Sequence, residues 1–303
     1  MLPSISIVIP TYSRPKQLAV CLQSLSMLDY PRDRLEVIVV DDGGETPLDS
    51  VVAPFRSALT LSLLRQPNAG PGAARNAGAE RARGEYIAFT DDDCLPEPGW
   101  QAEMVRALSQ ARESMVGGTT TNAAPNLYAT TSQLIVDVVY RHYNADPLTA
   151  RFVASNNMAL PARGFREIGG FDPAFRTAED RDLCDRWLHR GGRIVHVPAA
   201  RVNHARPMNA RAYCRQHFEY GRGAERFMRR RAERNSGSML AESRLHWDIR
   251  NWLWFPLGRV PPRQILPVAA LLVLWQTTNL AGFLWEAFSR HANRLRHGAL
   301  SVP

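Results

Sequence analysis

The sequence predicts an α/β protein in which a mostly parallel central sheet is flanked by helices and followed by a helical C-terminal extension. Three observations carry that expectation. Short apolar runs alternate with helical stretches through the first hundred residues, three of those runs stop at acidic or polar clusters, and the last third turns basic and then uncharged. Ile5–Ile9 is a β-branched run ending at Pro10, a strand. Leu18, Cys21, Leu22 and Leu25, three and four apart, make one face of a helix over Pro15–Leu28. Val37–Val40 is a second buried strand, stopped by Asp41-Asp42-Gly43-Gly44, and Leu59–Leu64 is a third. Gly70–Arg83 is Ala-rich and helical, and Tyr86–Phe89 is a fourth strand ending in Asp91-Asp92-Asp93. Ligands of such sheets sit outside the carboxyl ends of the strands, so the three clusters predict one site. From 121 to 205 the pattern loosens. Gly169-Gly170-Phe171-Asp172-Pro173 is a turn, Asp180–His189 a helix stopped by Gly191-Gly192, and Arg193–Val197 a strand followed by a short loop to His204. A basic helical segment covers 206–234, and Gln264–Trp285 runs 22 residues without a charge.

Composition excludes several classes. Apolar residues make up 45% of 303, enough to bury a core, which argues against disorder. Four separated cysteines (Cys21, Cys94, Cys184, Cys214) form no CxxC pair, which excludes a disulfide framework and fits a reducing compartment. The N-terminus lacks the basic lead and long apolar run of a signal peptide, so the chain is expected to start in the cytosol. Residues 1–200 carry 20 basic and 23 acidic side chains, residues 201–303 carry 17 and 6. The excess of positive charge therefore belongs to the last third alone, and it suits an anionic partner.

Several clusters carry chemistry, each with a plainer reading beside it. Three adjacent carboxylates at Asp91–Asp93 repel and raise one another's pKa unless a cation is present, and oxygen donors suit Mg²⁺ or Mn²⁺. If the segment is extended, Asp91 and Asp93 point the same way. The alternative is a solvated acidic turn, disfavoured by its place at a strand's carboxyl end. Asp42 can accept hydrogen bonds from a ribose or base while Gly43 and Gly44 let a ligand approach, or the run is an ordinary Asp-Gly turn. At the end of the first strand, Tyr12 can stack on a base and Arg14 can meet a phosphate, unless Tyr12 only packs. Arg75, one turn into a helix after a glycine-rich loop, can meet a diphosphate. Of Glu179-Asp180, one carboxylate can act as general base, or Asp180 is a helix cap. His204 is a ligand only if its neighbours are.

Taken in order, IVIPTYSRP, VVDDGG, NAGPGAARNAG, EYIAFTDDDCLPEPGW, ASNNMALPARGFREIGGFD, EDRDLCDRW and VNHA resemble the family 2 glycosyltransferases, inverting enzymes with the Rossmann-like GT-A fold, over about residues 4–223. The resemblance implies a nucleotide-sugar donor, usually UDP-linked, and a Mn²⁺ or Mg²⁺ ion. By it, Pro10, Thr11, Tyr12, Arg14 and Asp42 surround the base and Arg75 lies near base or diphosphate. Asp91–Asp93 resembles the DxD motif, with Asp91 near ribose, Asp93 on the metal and Asp92 sharing either role; Asp91 is also a candidate metal ligand. His204 matches a histidine of the metal shell, and Asp180, with Glu179 beside it, matches the catalytic base. Asn157, Trp100, Gly169, Gly170 and Asp172 fall where the family builds its donor-sugar and acceptor wall. The implied division is 1–120 for the nucleotide sugar, 121–205 for acceptor and catalysis, and 206–303 for the extension. Processive synthases of the family carry QxxRW, whereas here Arg186-Trp187 follows Leu183 where Gln is required. Transfer of a single sugar, to a glycan or lipid-linked acceptor, is the expected reaction.

The tail reads as a membrane-associating region. Gln264–Trp285 is long enough to cross a hydrocarbon core, although Pro267 and Gln276-Thr277-Thr278-Asn279 interrupt it. Trp275 and Trp285 suit interface anchors, Trp247, Trp252, Trp254 and Phe255 form an aromatic cluster just upstream, and nearby arginines attract anionic lipid by roughly 1 kcal/mol each. Residues 247–290 are thus expected to dock on or dip into the cytoplasmic leaflet. A helix pair packed on the protein itself or in a homo-oligomer is the competing expectation. The other functional class is a non-catalytic nucleotide-binding or nucleic-acid-associated protein using the basic tail. No nucleic-acid motif supports it, so no nucleic acid is expected as a partner.

Overall fold

A computed structural model describes residues 2–122, 126–204 and 208–298. Along them run β1 (Ile5–Thr11), α1 (Pro15–Leu25), β2 (Leu35–Asp41), α2 (Asp49–Val52), β3 (Thr60–Arg65), α3 (Pro71–Arg81), β4 (Tyr86–Thr90), β5 (Cys94–Pro96), α4 (Trp100–Gln110) and β6 (Ser114–Asn122). Then follow α5 (Leu127–Tyr143), β7 (Asn157–Pro161), α6 (Ala162–Glu167), α7 (Glu179–His189), β8 (Arg193–His204), α8 (Ala210–Arg234), α9 (Met239–Trp247), α10 (Phe255–Leu257) and α11 (Ile265–Gly298). The chain forms two compact units, Met1–Ala124 with Tyr143–Arg206, and Pro125–His142 with Pro207–Pro303. Of the expected divisions, 120/121 falls inside β6, and 205/206, with Ala205 of VNHA, lies outside the described residues.

The first unit is built on one eight-stranded sheet in the order β3-β2-β1-β4-β7-β6-β8-β5. Four of the seven strand pairs are parallel, and β7 and β5 supply the antiparallel ones. Every residue of β1 and β4 is buried, as expected of parallel strands covered on both faces. The chain builds outward from β1 to β3, then returns across β1 to β4. That reversal opens a crevice where the carboxyl ends of β2, β1 and β4 meet. Pro10, which has no N–H, lies past the last β1–β4 pair at Val8–Phe89 while still in register with Val40 of β2, so it falls where β1 has no pair on its β4 side.

The far side of the sheet differs from expectation. The last strand does not stop at Val197 with a loop to His204; β8 continues to His204 itself. Its register against β6 jumps from Gly118↔Val197 to Thr119↔Arg201, so Pro198, Ala199 and Ala200 form a bulge that accommodates the proline. Beyond the bulge β8 pairs with β5, and Cys94↔His204 is one of the pairs. The bulge thus carries His204 to the acidic triplet.

In the second unit α8 starts at Asn209, whose side chain accepts from Ala212 N at 2.9 Å, and ends at Asn235 in the left-handed conformation. It runs beside α11 in the same direction: Tyr213 Oη donates to Leu271 O at 2.8 Å, Arg222 and Arg226 pair with Glu286 at 2.9 and 2.7 Å, and Arg290 pairs with Glu225. Gly221 meets the Asn279 backbone and Gly282 the Phe218 backbone, each too close for a Cβ. Gly221→Val or Gly282→Val is therefore expected to lower stability by about 1–3 kcal/mol. Calorimetric melting checks this, and an unchanged transition would refute the close crossing.

Candidate active site

The turn after β1 puts Ser13 in the left-handed region (φ +54°) and starts α1 with Pro15, which turns Arg14 back across the crevice. Its Nη1 lies 3.0 Å from Asp92 Oδ1 and 3.0 Å from Asp93 Oδ2. Thr11 Oγ1 donates to the other Asp92 oxygen at 2.7 Å. The triplet itself is a turn, closed by Cys94 N donating to Asp91 O, so strand alternation does not apply. Asp92 and Asp93 share Arg14, while Asp91 turns to Arg75. Burial pushes Asp92 up to about 6 against the pull of Arg14 and Thr11, and repulsion from Asp93 and Asp91 adds less.

Arg75 is fully enclosed. Nη2 donates to Asp91 Oδ1 at 2.7 Å and Nη1 to Glu179 Oε1 at 2.8 Å. One guanidinium thereby ties the acidic turn to the first residue of α7. Next to it, Asp180 does not cap the helix; Ala178 is the cap residue, with φ +66°. Asp180 accepts from Arg181 N at 2.8 Å and from Ser155 N at 3.4 Å, and it is half-buried. Burial raises both carboxyls above their ordinary values, with Arg75 opposing in each case.

Asp93 Oδ1 is 3.1 Å from His204 Nε2, and these atoms with Cys94 Sγ lie within 4.8 Å of one another. A carboxylate and an imidazole beside further carboxylates form a donor set that fits Mn²⁺ or Mg²⁺. Cys94 is there because β5 pairs it opposite His204; its thiol is fully buried and pushed up by that burial.

Other expected site residues are placed differently. Asp42 is buried and already accepts from Gln66 Nε2, Ala69 N and Gly70 N at 2.7–2.9 Å, so it shapes the loop before α3. Pro10 is buried, and Tyr12 is 53% exposed at the crevice mouth. Trp100 and Asn157 do not line a wall. Both are 0% exposed, Trp100 Nε1 donates to Asn157 Oδ1 at 2.7 Å, and Asn157 Nδ2 donates to Thr119 O and Ala200 O across the bulge. They hold the sheet that carries His204. Gly169 is exposed, Gly170 is buried against Asn76 and Asp172 accepts from Ala174 N. Asn76 and Arg186 had no role in the site on sequence grounds, yet they secure this loop: Asn76 exchanges two hydrogen bonds with the Phe171 backbone, and Arg186 donates to Ile168 O and Gly170 O. Asn76 sits in the NAGPGAARNAG string, which was the available signal.

The chain matches the family model described as glycosyl transferase family 2 over residues 6–168, and that of glycosyl transferase family group 2 over 91–289. It belongs to glycosyl transferase family 2. This family 2 chain is 31% identical over 201 residues to the pre-mycofactocin glycosyltransferase of Mycobacterium tuberculosis, covering 63% of this chain and 42% of that protein. It is 32% identical over 127 residues to glycosyltransferase AglE of Haloferax volcanii, covering 41% of this chain and 42% of that one. The matches thus span less than half the length of these relatives. Among solved structures, the mannosyltransferase PcManGT from Pyrobaculum calidifontis, in complex with GDP-Man and Mn²⁺, superposes with a TM-score of 0.71 at 20% identity, covering 95% of this chain and 88% of that one. S. aureus TarS 1–349 in complex with UDP-GlcNAc gives 0.59 at 18%, covering 95% and 92%. The fold is GT-A.

Proposed function

We propose that this protein is a metal-dependent inverting glycosyltransferase that moves one sugar from a nucleotide sugar, a UDP-sugar, to a hydroxyl acceptor on a glycan or lipid-linked molecule. The observation that carries the reading is the Arg75 link, which holds Asp91 and Glu179 against one guanidinium and so brings a donor-binding turn and a candidate base into one crevice. Solved neighbours that hold GDP-Man with Mn²⁺, or UDP-GlcNAc, support the donor class.

In this reading Tyr12 stacks on the base, Asp42 with Pro10 and Thr11 shapes the wall beside it, and Arg14 exchanges its carboxylate partners for the diphosphate. Asp93 and His204, with Asp91 or Asp92, would hold Mn²⁺ or Mg²⁺, which would supply positive charge to offset that of the diphosphate leaving group. Asp180 takes the proton of the acceptor hydroxyl as it attacks from the face opposite the leaving group, and the single displacement inverts configuration. Burial raises its pKa, which makes it a better proton acceptor than an ordinary carboxylate. Gly169, Gly170 and Asp172 border the acceptor. All four cysteines are free thiols, in keeping with a cytoplasmic site of action.

Titration calorimetry of UDP in the presence of Mn²⁺ tests the donor half. Asp93→Ala is expected to weaken binding by about 10–100-fold. Equal affinity in the two proteins would remove Asp93 from the metal site.

A further inference from the structure

The outward face of α11 is apolar where a helix in water would be polar. Its inner face is taken by α8, while Leu266, Val273, Leu280, Leu284, Trp285 and Phe288 stand exposed, Leu266 by 82% and Phe288 by 69%. At 3.6 residues per turn these positions fall on one side of the helix, along a stripe about 33 Å long. Exposed Thr277, within the stripe, returns its hydroxyl to Leu274 O at 3.0 Å. Only 22% of the helix's most apolar stretch is buried, so it is not the core helix of a globular unit. We infer that this face docks into one leaflet of a bilayer containing anionic lipid, with α11 lying in the membrane plane instead of crossing it.

Two features decide the orientation. Because α8 runs beside α11, Arg215 and Glu219 stand level with the middle of the apolar stretch, between the Tyr213–Leu271 and Arg222–Glu286 contacts. A crossing α11 would carry those charges into hydrocarbon, which is strongly unfavourable. Two polar side chains of α11 turn inward: Gln276 Oε1 lies 2.6 Å from His246 Nδ1, and Asn279 Nδ2 reaches His217 O at 3.4 Å. The result is an apolar side and a polar side divided along the helix length, the arrangement of a helix seated at an interface.

Charge selects the occupant. Residues 201–303 hold 17 basic and 6 acidic side chains, and Arg211, Arg215, Arg244, Arg250 and Arg263 are exposed. Trp247 and Trp254, 81% and 63% exposed, suit the headgroup level. Anionic headgroups complement these arginines, whereas a second copy meeting this face by two-fold symmetry would set arginine against arginine.

Flotation of the full-length protein with phosphatidylcholine vesicles, with and without phosphatidylglycerol, tests the proposal. The protein is expected to float with the anionic vesicles, and Leu280→Glu with Leu284→Glu to abolish flotation while leaving the melting transition unchanged. Spin labels on Leu266→Cys, Val273→Cys, Leu280→Cys and Phe288→Cys, read one at a time, should report the same shallow depth. Three outcomes overturn it: no flotation with either vesicle, a dimer that the double variant converts to monomer, or a depth profile deepest at mid-helix.

Discussion

Replacing Asp180 by asparagine is expected to lower sugar transfer by about 10²–10⁴-fold while donor binding stays near the wild-type level. Asparagine has nearly the same shape and can still accept from Arg181 N, but it cannot take the acceptor's proton. Single-turnover assay together with UDP calorimetry separates the two effects, and near-normal transfer would end the role assigned to Asp180. The pH profile adds an independent reading. Burial raises the carboxyl above 3.8, so wild-type activity falls as pH drops through that raised value, at a higher pH than an ordinary aspartate would show. Linkage gives the sign for stability. The folded state holds this proton more tightly than the unfolded chain, so stability from Asp180 declines as pH rises from 3.8 through the folded value and stays low above it. At about pH 8 the asparagine variant should therefore melt no lower than wild type, and any advantage should vanish near pH 4. A variant that melts well below wild type at the higher pH would contradict a carboxylate made costly by burial.

Arg75→Met is expected to cost about 3–5 kcal/mol of stability, because it strands the buried Glu179 carboxylate and removes the partner of Asp91. Binding of UDP with Mn²⁺ should weaken along with it, since the acidic turn loses its tie to α7. The diagnostic measurement is a double-mutant cycle by urea denaturation. Adding Glu179→Gln to Arg75→Met removes the stranded charge and should restore part of the loss. A single variant within about 1 kcal/mol of wild type would show that the guanidinium is not the strut its geometry suggests.

Much of the first unit was legible because its signals are local. The β-branched runs at Ile5–Ile9 and Val37–Val40 are buried on both faces and have no alternative use, and the Asp41-Asp42 string that stops the second sits at a strand end in the structure too. The strands that escaped notice, β5, β6 and β7, read CLP, SMVGGTTTN and NMALP. Gly, Asn and Pro weaken their propensity, and only pairing with neighbours makes them strands. Buried Trp100 and Asn157 illustrate the same limit, since a tryptophan beside an acidic motif reads as a sugar contact until its indole N–H is found bonded to an asparagine inside the sheet.

Ordered strings such as DDD and ED by themselves determined the family, the fold class and which side chains carry charge into the crevice, because residue type and spacing along the chain suffice for that. The tertiary structure alone decided which carboxylate pairs with which cation. Arg75 reaches residues 16 and 104 positions away, and His204 reaches Asp93 only because a bulge lengthens β8. It also decided that the apolar side of α11 faces outward. Sequence periodicity marks which residues share a face, but which face is covered depends on the helix packed against it.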